Sequence, residues 1–460
     1  MNPRKIVRFG GAALTTALMA GVAAPALAGS FYVQEQSVRG QGRANSGETA
    51  DMGASSLWWN AASIARSGRE VYVGAHGLIL DSDVDDAGST VTYNLPAGGT
   101  VLSGSVPVGG DPHVHDVVES GIVPNFAFAT PVGDRFAVGL AVQAPYNFTT
   151  KYETREGGVV GDFARYDALT SELRSANISL VAAMRVTDWL DIGVGFDAQY
   201  AKANLTSNLP NLPTVAGVAP VVLIPAATDG YQNLDGDGWD YGWNAGAQVH
   251  TGRWDLGLSY RSEIEHELEG NIDISGLTGL LAAAGANTAV GGEDGSASFT
   301  TPWYASFSAR YAVNDRLTLN AQVNRIGWSE FEAIEVVYET GAATIEQNYD
   351  DVTTGAVGFD YVIDPTLTVR GGVAYDPTPT PDGQRTARIP DGDRFLVSAG
   401  LSKTIRPGLT LDGAVTYIDI DDSEISDDRD VYGNGLVISN LRGTASGSGV
   451  GFSAGMRWNF

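Results

Sequence analysis

Alternation at a period of two is the feature that most constrains this chain. Leu190, Ile192, Val194, Phe196, Ala198 and Tyr200 form one series, with Asp191, Gly193, Gly195, Asp197 and Gln199 between them. Trp254, Leu256, Leu258 and Tyr260 alternate in the same way with Arg253, Asp255, Ser259 and Arg261. So do Leu317, Leu319, Ala321 and Val323 with Thr318, Asn320, Gln322 and Asn324. Successive side chains of a strand point to opposite faces, so each segment is a strand with one apolar and one polar face. A soluble sandwich gives the same pattern, and alternation alone does not say which face looks outward.

Three further features favour a membrane barrel. Many segments run to about ten residues or more, the length of a tilted membrane strand. Short turns (Val132-Gly133-Asp134, Val186-Thr187-Asp188, Thr251-Gly252, Val313-Asn314-Asp315, Ile363-Asp364-Pro365, Arg406-Pro407-Gly408) alternate with long polar stretches near 82–114, 151–167, 205–237, 272–295, 376–389 and 422–444. Short turns at one end and long loops at the other is the layout of a transmembrane barrel. The chain closes with Val450, Phe452, Ala454, Met456, Trp458 and Phe460 on one face. Such a strand is expected to engage the barrel assembly machinery through Phe460. The fold class is therefore all-β: a transmembrane antiparallel β-barrel of about fourteen strands. Strand six is expected near 238–251, strand seven near 253–271 and the last near 445–460.

Composition narrows the class. Arg4, Lys5 and Arg8 precede a small-residue apolar run, Ala12 to Ala24, and Ala26-Leu27-Ala28. That order reads as a secretory signal peptide over 1–28, with the mature chain starting at Gly29. The absence of Cys in an exported chain excludes a disulfide scaffold. A net charge of −26 argues against nucleic acid as a partner. The expected location is the outer membrane of a Gram-negative-type envelope, among lipid and lipopolysaccharide.

Residues 29–68 do not alternate. Gly40, Gly42, Gly47 and Gly53 interrupt them, and Leu57-Trp58-Trp59 precedes Asn60-Ala61-Ala62-Ser63-Ile64. A barrel of this size encloses a water-wide lumen. Two adjacent Trp and several apolar residues are poor material for a disordered tail. The expectation is an N-terminal hatch over 29–68 plugging the lumen of a barrel over 69–460.

Here a resemblance enters. Phe31-Tyr32-Val33-Gln34-Glu35-Gln36-Ser37, Gly40-Gln41-Gly42-Arg43-Ala44, Gly47-Glu48 and Trp59-Asn60-Ala61-Ala62 resemble the hatch of the FadL/TodX (OmpP1) family. The likeness continues at Val123-Pro124-Asn125-Phe126, Tyr241-Gly242-Trp243-Asn244-Ala245-Gly246, Tyr260-Arg261-Ser262-Glu263, Trp328-Ser329-Glu330-Phe331 and Ile389-Pro390-Asp391-Gly392-Asp393-Arg394-Phe395. It implies an outer-membrane transporter of long-chain fatty acids or hydrocarbons, monomeric and not an enzyme. Where the family usually has Asn-Pro-Ala in the hatch, Ala61 takes the middle position, which removes a restraint on that turn.

Pro145 is the most informative single residue. Inside the third strand it removes a ladder hydrogen bond and bends the chain. The resemblance implies a kinked third strand that opens the wall sideways around Gln143, Ala144 and Pro145, with Asn60, Ala61 and Ala62 of the hatch nearby. Two loops are unusually apolar, Leu209–Pro213 with Val218–Ile224, and Leu277–Ala284, the latter expected to hold a short helix. Leu223 and Leu280 within them, with Phe31, are candidate ligand contacts. Lys202 matches a basic ligand contact by resemblance, but lies in the outward-reading register of Tyr200. The second basic contact of fatty-acid members falls near Glu335, which is acidic, and this favours a neutral hydrocarbon. Asn233-x-Asp235-x-Asp237-Gly238 resembles the start of a calcium loop, yet its twelfth position is Asn244 rather than Glu. His113-x-His115 is a possible metal pair. Five His and no G-x-S-x-G give no nucleophile constellation. No cofactor and no bound metal are expected. The competing reading is a general porin for small polar solutes.

Overall fold

In a computed structural model, described over residues 30–97, 99–152, 162–216, 222–283, 292–339 and 341–460, the chain forms a closed antiparallel barrel of 14 strands around an N-terminal plug. The expected signal peptide, Val218–Val221 and Ala284 lie outside the described residues. The strands are β1 (Glu70–Asp86), β2 (Gly121–Val132), β3 (Phe136–Gln143 and Asn147–Lys151), β4 (Thr170–Arg185) and β5 (Leu190–Leu209). Then come β6 (Gly230–Thr251), β7 (Trp254–Arg261 and Ile264–Ser275), β8 (Glu293–Thr301 and Trp303–Ala312) and β9 (Leu317–Gly327 and Ala333–Tyr338). The remainder are β10 (Gly341–Glu346 and Val352–Asp364), β11 (Leu367–Asp376), β12 (Arg394–Arg406), β13 (Leu409–Asp430) and β14 (Val437–Asn459). β14 closes on β1 from Glu70↔Asn459 to Asp86↔Gly443. Closure pairs the first strand with the last, as a strand structure in lipid requires.

The alternation places apolar side chains outward. Phe196, Tyr241, Trp243, Leu258, Phe307 and Val323 are exposed, while Asn177, Asp197, Gln199, Asn244, Gln322 and Asn324 face in and are buried. The inner groups satisfy one another. Asp197 accepts from Asn177 at 3.1 Å, from Asn244 at 2.8 Å and from Arg261 at 2.5 Å. Short turns close one end. Gly133, Gly252 and Gly408 supply the left-handed conformation there, at φ 68°, 60° and 80°.

Several strands are longer than the alternation indicated. β6 begins at Gly230, β7 runs to Ser275, and β13 and β14 continue through Asp430 and from Val437. Asn233, Asp235 and Asp237 therefore lie in one unbroken strand, β6, whose extended backbone does not wrap a cation as a loop does. The likeness of this segment to a calcium loop does not extend to its backbone. His113 and His115 pair with Asp85 and Asp83 in a short exposed segment. Among the described residues no group of three acidic or His side chains is placed to hold a metal.

β7 and β8 swap faces partway up. Below the break at Ser262-Glu263 the even residue Leu258 is exposed; above it Ile264 and Leu268 are buried and Glu265, Glu267 and Glu269 are exposed. In β8 the break falls at Pro302: Phe299 above it faces in, Phe307 below it faces out. The barrel is thus apolar outside where lipid meets it and apolar inside above that belt.

Candidate functional site: hatch, slit and wall window

The hatch comprises helix α1 (Val38–Gln41) and three 3₁₀ turns, Glu48–Ala50, Ala54–Ser56 and Ala61–Ile64. Of residues 30–67, Met52 alone is exposed. Its seat is built from glycines. A Cβ at Gly257 would lie 2.1 Å from the Thr49 carbonyl oxygen, at Gly193 2.4 Å from the Ala61 carbonyl carbon, and at Gly372 2.2 Å from the Arg43 carbonyl oxygen. Gly42 and Gly400 approach backbone to backbone. No larger residue fits between hatch and wall at these points.

Charge locks the seat. Arg43, fully buried, binds Glu48 and Asp51 at 2.5 Å each and reaches Asp360 of β10 at 3.2 Å. Arg310 of β8 bridges Asp51 and Asp360, both at 3.2 Å, and Arg370 of β11 holds Asp360 at 2.5 Å. Burial pushes the Asp51 carboxyl up, but Arg310, Arg39 and Arg43 together outweigh it and hold the group well below the usual carboxylate range. On β7, beside β8, the Arg261 guanidinium lies 3.8 Å above the Trp58 ring and donates to the Trp58 carbonyl at 3.0 Å.

The third strand breaks where Pro145 stands. Its lower half ends at Gln143, and its upper half starts at Asn147 with the β4 register shifted by one residue. The ladder between β2 and β3 stops at Phe126↔Val142 and resumes higher, where the Glu119 N–H donates to the Thr149 carbonyl at 2.9 Å. Between these points the two strands are unpaired, which leaves a window in the wall. The hatch fills it. The Val33 N–H donates to the Pro145 carbonyl at 2.7 Å, the Asn147 N–H to the Phe31 carbonyl at 3.1 Å, and the Asn125 side-chain amide to the Glu35 carbonyl at 3.1 Å. Val33, Val123 and Ala144 pack together and are buried. The backbone groups freed by the kink thus find partners in the plug.

Above the hatch lies a slit of about 80 Å³ lined by Phe31, Phe148, Leu173, Leu268, Phe299 and Phe331, among others. Phe31 separates slit from window. Its ring lies 4.9 Å from Trp328, 5.1 Å from Phe331 and 5.8 Å from Tyr146. The slit is overlain by a vestibule of about 1390 Å³ walled by Leu95, Leu212, Leu277 and Leu281.

The expected site residues divide. Gln143, Ala144 and Pro145 lie at the window, and Phe31 lines the slit. Leu280, on a short helix α2 (Gly279–Ala283), is 75% exposed in the vestibule. Leu223 packs instead among the capping loops with Leu95 and Val106, off the vestibule wall. Three corrections follow from strand geometry. Lys202 is exposed on the outer face of β5, while its neighbours Ala201 and Ala203 face in. Glu335 is likewise exposed on the outside of β9 and carries no information about the lumen. Asn60, Ala61 and Ala62 are not beside the kink. Asn60 caps its own 3₁₀ turn by accepting from the Ala62 N–H at 2.8 Å, and donates to the Ala247 carbonyl of β6 at 3.2 Å; Ala61 rests on Gly193 of β5. The hatch residues at the window are Phe31 to Gln36. The slit itself was missed, although Ile264, Leu268 and Ile272 against Glu265, Glu267 and Glu269 signal an inward apolar face.

A closed barrel with an outward apolar belt, a seated plug and an apolar internal slit defines an outer-membrane transport channel. The chain belongs to the outer membrane protein transport protein family (OMPP1/FadL/TodX), whose family model matches residues 19–460. It is 27% identical over 435 residues to outer membrane protein P1 of Haemophilus influenzae, covering 89% of this chain and 90% of that protein. It is also 27% identical over 422 residues to the long-chain fatty acid transport protein of Escherichia coli K12, covering 86% and 89%. Among solved structures, a Pseudomonas aeruginosa FadL homologue superimposes with a TM-score of 0.79 at 24% identity, covering 94% of this chain and 100% of that one. The Pseudomonas putida toluene transporter TodX does so with a TM-score of 0.61 at 15% identity, covering 94% and 100%.

Proposed function

We propose that the protein admits hydrophobic compounds, long-chain fatty acids or hydrocarbons, and releases them sideways through the wall after the hatch strand Phe31–Gln36 withdraws. The observation that carries this reading is the window between β2 and β3, filled by the hatch rather than by strand pairing. Apolar loops collect the solute, the slit strips it of water, and Phe31 bars the way from slit to window. Lateral release delivers the solute to lipid, so its apolar surface never crosses the aqueous periplasm. The relatives support the substrate class, since those named above are a fatty acid transport protein and, by fold, a toluene transporter.

A general porin differs in one measurable respect: it holds an open aqueous path. Planar bilayers with the full protein are expected to show little steady ion conductance, while cells bearing it take up labelled oleate or hexadecane faster than cells without it. Large steady conductance with no gain in uptake contradicts the proposal.

A further inference from the structure

The hatch strand that fills the window carries an acid into the barrel interior. Glu35, within Phe31–Gln36, is 3% exposed, and its Oε2 has no hydrogen-bond partner. The backbone around it is pinned. The Asn125 amide of β2 donates to the Glu35 carbonyl at 3.1 Å, and the Gln34 amide donates to Asp376 Oδ2 of β11 at 2.6 Å. The Gln36 amide donates to the Val33 and Ala144 carbonyls at 3.0 and 3.3 Å. While the strand is seated, the Glu35 side chain is therefore held out of water.

Its surroundings hold one positive charge for two acids. Among the described residues, Arg394 of β12 and Asp376 of β11 are the charged groups that face Glu35, and Tyr32 of the hatch is a titratable neutral neighbour. β2 and β3 bring the neutral Asn125 and Ala144 against the same turn. Arg394 is already paired with Asp376, itself 1% exposed. An ionised Glu35 would place a second negative charge beside that one guanidinium. A carboxylate taken from water without a counter-ion of its own binds a proton instead. Burial pushes the Glu35 carboxyl above the usual carboxylate range, with Arg394 opposing and Asp376 adding to the push.

We infer that the seat of the hatch strand is a proton-linked latch: Glu35 is a neutral acid while the strand fills the window and ionises when the strand withdraws. The inference rests on the withdrawal of Phe31–Gln36 proposed above and names what biases it. Outside its seat Glu35 is hydrated and gives its proton to water at the ordinary glutamate value. The seated state thus binds one proton more than the withdrawn state. Seating is fully favoured below that ordinary value and weakens as pH rises toward the raised seated one, by at most about tenfold in the equilibrium per pH unit for a single proton. Asp51 acts at the other end of the scale, since its depressed carboxyl frees the hatch only in acid. The two hatch acids therefore bound from both sides the pH range in which the strand stays seated.

The test is hydrogen exchange of the backbone N–H groups of residues 31–36 in the full-length protein in detergent. It is read by mass spectrometry from about pH 5 to about pH 9 and corrected at each pH for the exchange rate of an open chain. In wild type the open fraction of this segment is expected to rise about tenfold or more across the range. Glu35→Gln keeps the shape and cannot ionise, so its open fraction is expected to change by less than about twofold. Asp376→Asn keeps an acceptor for the Gln34 amide and frees Arg394 to pair with an ionised Glu35, so its rise with pH is expected to be much smaller than in wild type. This second variant decides the matter if Glu35→Gln fails to fold. A wild-type open fraction that is flat with pH, or a full wild-type response that survives in either folded variant, overturns the proton link while withdrawal of the strand stands. Complete protection of the Val33 N–H at every pH, even with hexadecane added, overturns the withdrawal as well.

Discussion

The backbone N–H of Val33 donates to the carbonyl oxygen of Pro145 across 2.7 Å, so the plug completes the hydrogen bonding of the strand it blocks. A proline in a membrane strand lacks an N–H and bends the chain, which leaves backbone groups without ladder partners. In this protein the hatch supplies partners there, Val33 to the Pro145 carbonyl and Phe31 to the Asn147 N–H.

Seating depends on glycines. Gly257→Val places side-chain atoms where Thr49 and Ala50 now run, against contacts as short as 2.1 Å for the first carbon alone. The barrel strands are unaffected, because Gly257 pairs through its backbone with Gln248 and Ser308. The expected outcome is a normally folded, heat-modifiable barrel with several-fold higher ion conductance than wild type. Conductance at the wild-type level means that the hatch does not depend on this close approach.

The ion network gives the hatch a defined pH response. Asp51 is held below its ordinary range, so its contribution to seating is present above the ordinary aspartate value and lost only as pH falls through the depressed one. Conductance is expected to stay low from neutral into mildly acidic pH and to rise only below the usual carboxylate range. Asp51→Asn leaves Arg39, Arg43 and Arg310 short of a counter-charge, at a cost of about 3–5 kcal/mol to the seated state. That variant is expected to conduct at neutral pH.

Closure makes a separate prediction. The Phe460 N–H donates to the Arg69 carbonyl at 3.1 Å, and its exposed ring lies 4.9 Å from Trp458. We expect deletion of Phe460 to reduce the amount of heat-modifiable barrel in the outer membrane without changing the channel properties of what does assemble. Undiminished assembly contradicts a role for this residue in insertion.

The period-two segments identified the barrel because lipid outside and water inside impose opposite polarities on the two faces of Leu190–Tyr200 and Leu317–Asn324. That contrast reverses above the membrane, and reading from residues alone failed there. Asp235 and Asp237 look like loop ligands, yet they are solvated outward positions of a strand whose inner face carries Leu234. The slit escaped notice for the same reason: the breaks at Ser262-Glu263 and Pro302 exchange inside for outside. Pro145 was legible because its chemistry is local. What fills the kink was not, since Val33 and Pro145 meet only once the plug has folded into the barrel. Asn60 was misplaced because nothing local says against which of the fourteen strands a hatch residue rests.

The most direct test of lateral release pins the hatch strand in the window. The chain contains no Cys, so Val33→Cys with Ala144→Cys introduces a single possible disulfide between two residues that pack together there. Cells carrying the oxidised variant, with the cross-link verified by mass and surface levels equal to wild type, are given labelled oleate. The account predicts uptake no faster than in cells without the protein, and recovery on reduction. Wild-type uptake with the cross-link intact contradicts it, because the solute then leaves the barrel by a route other than the window at Pro145.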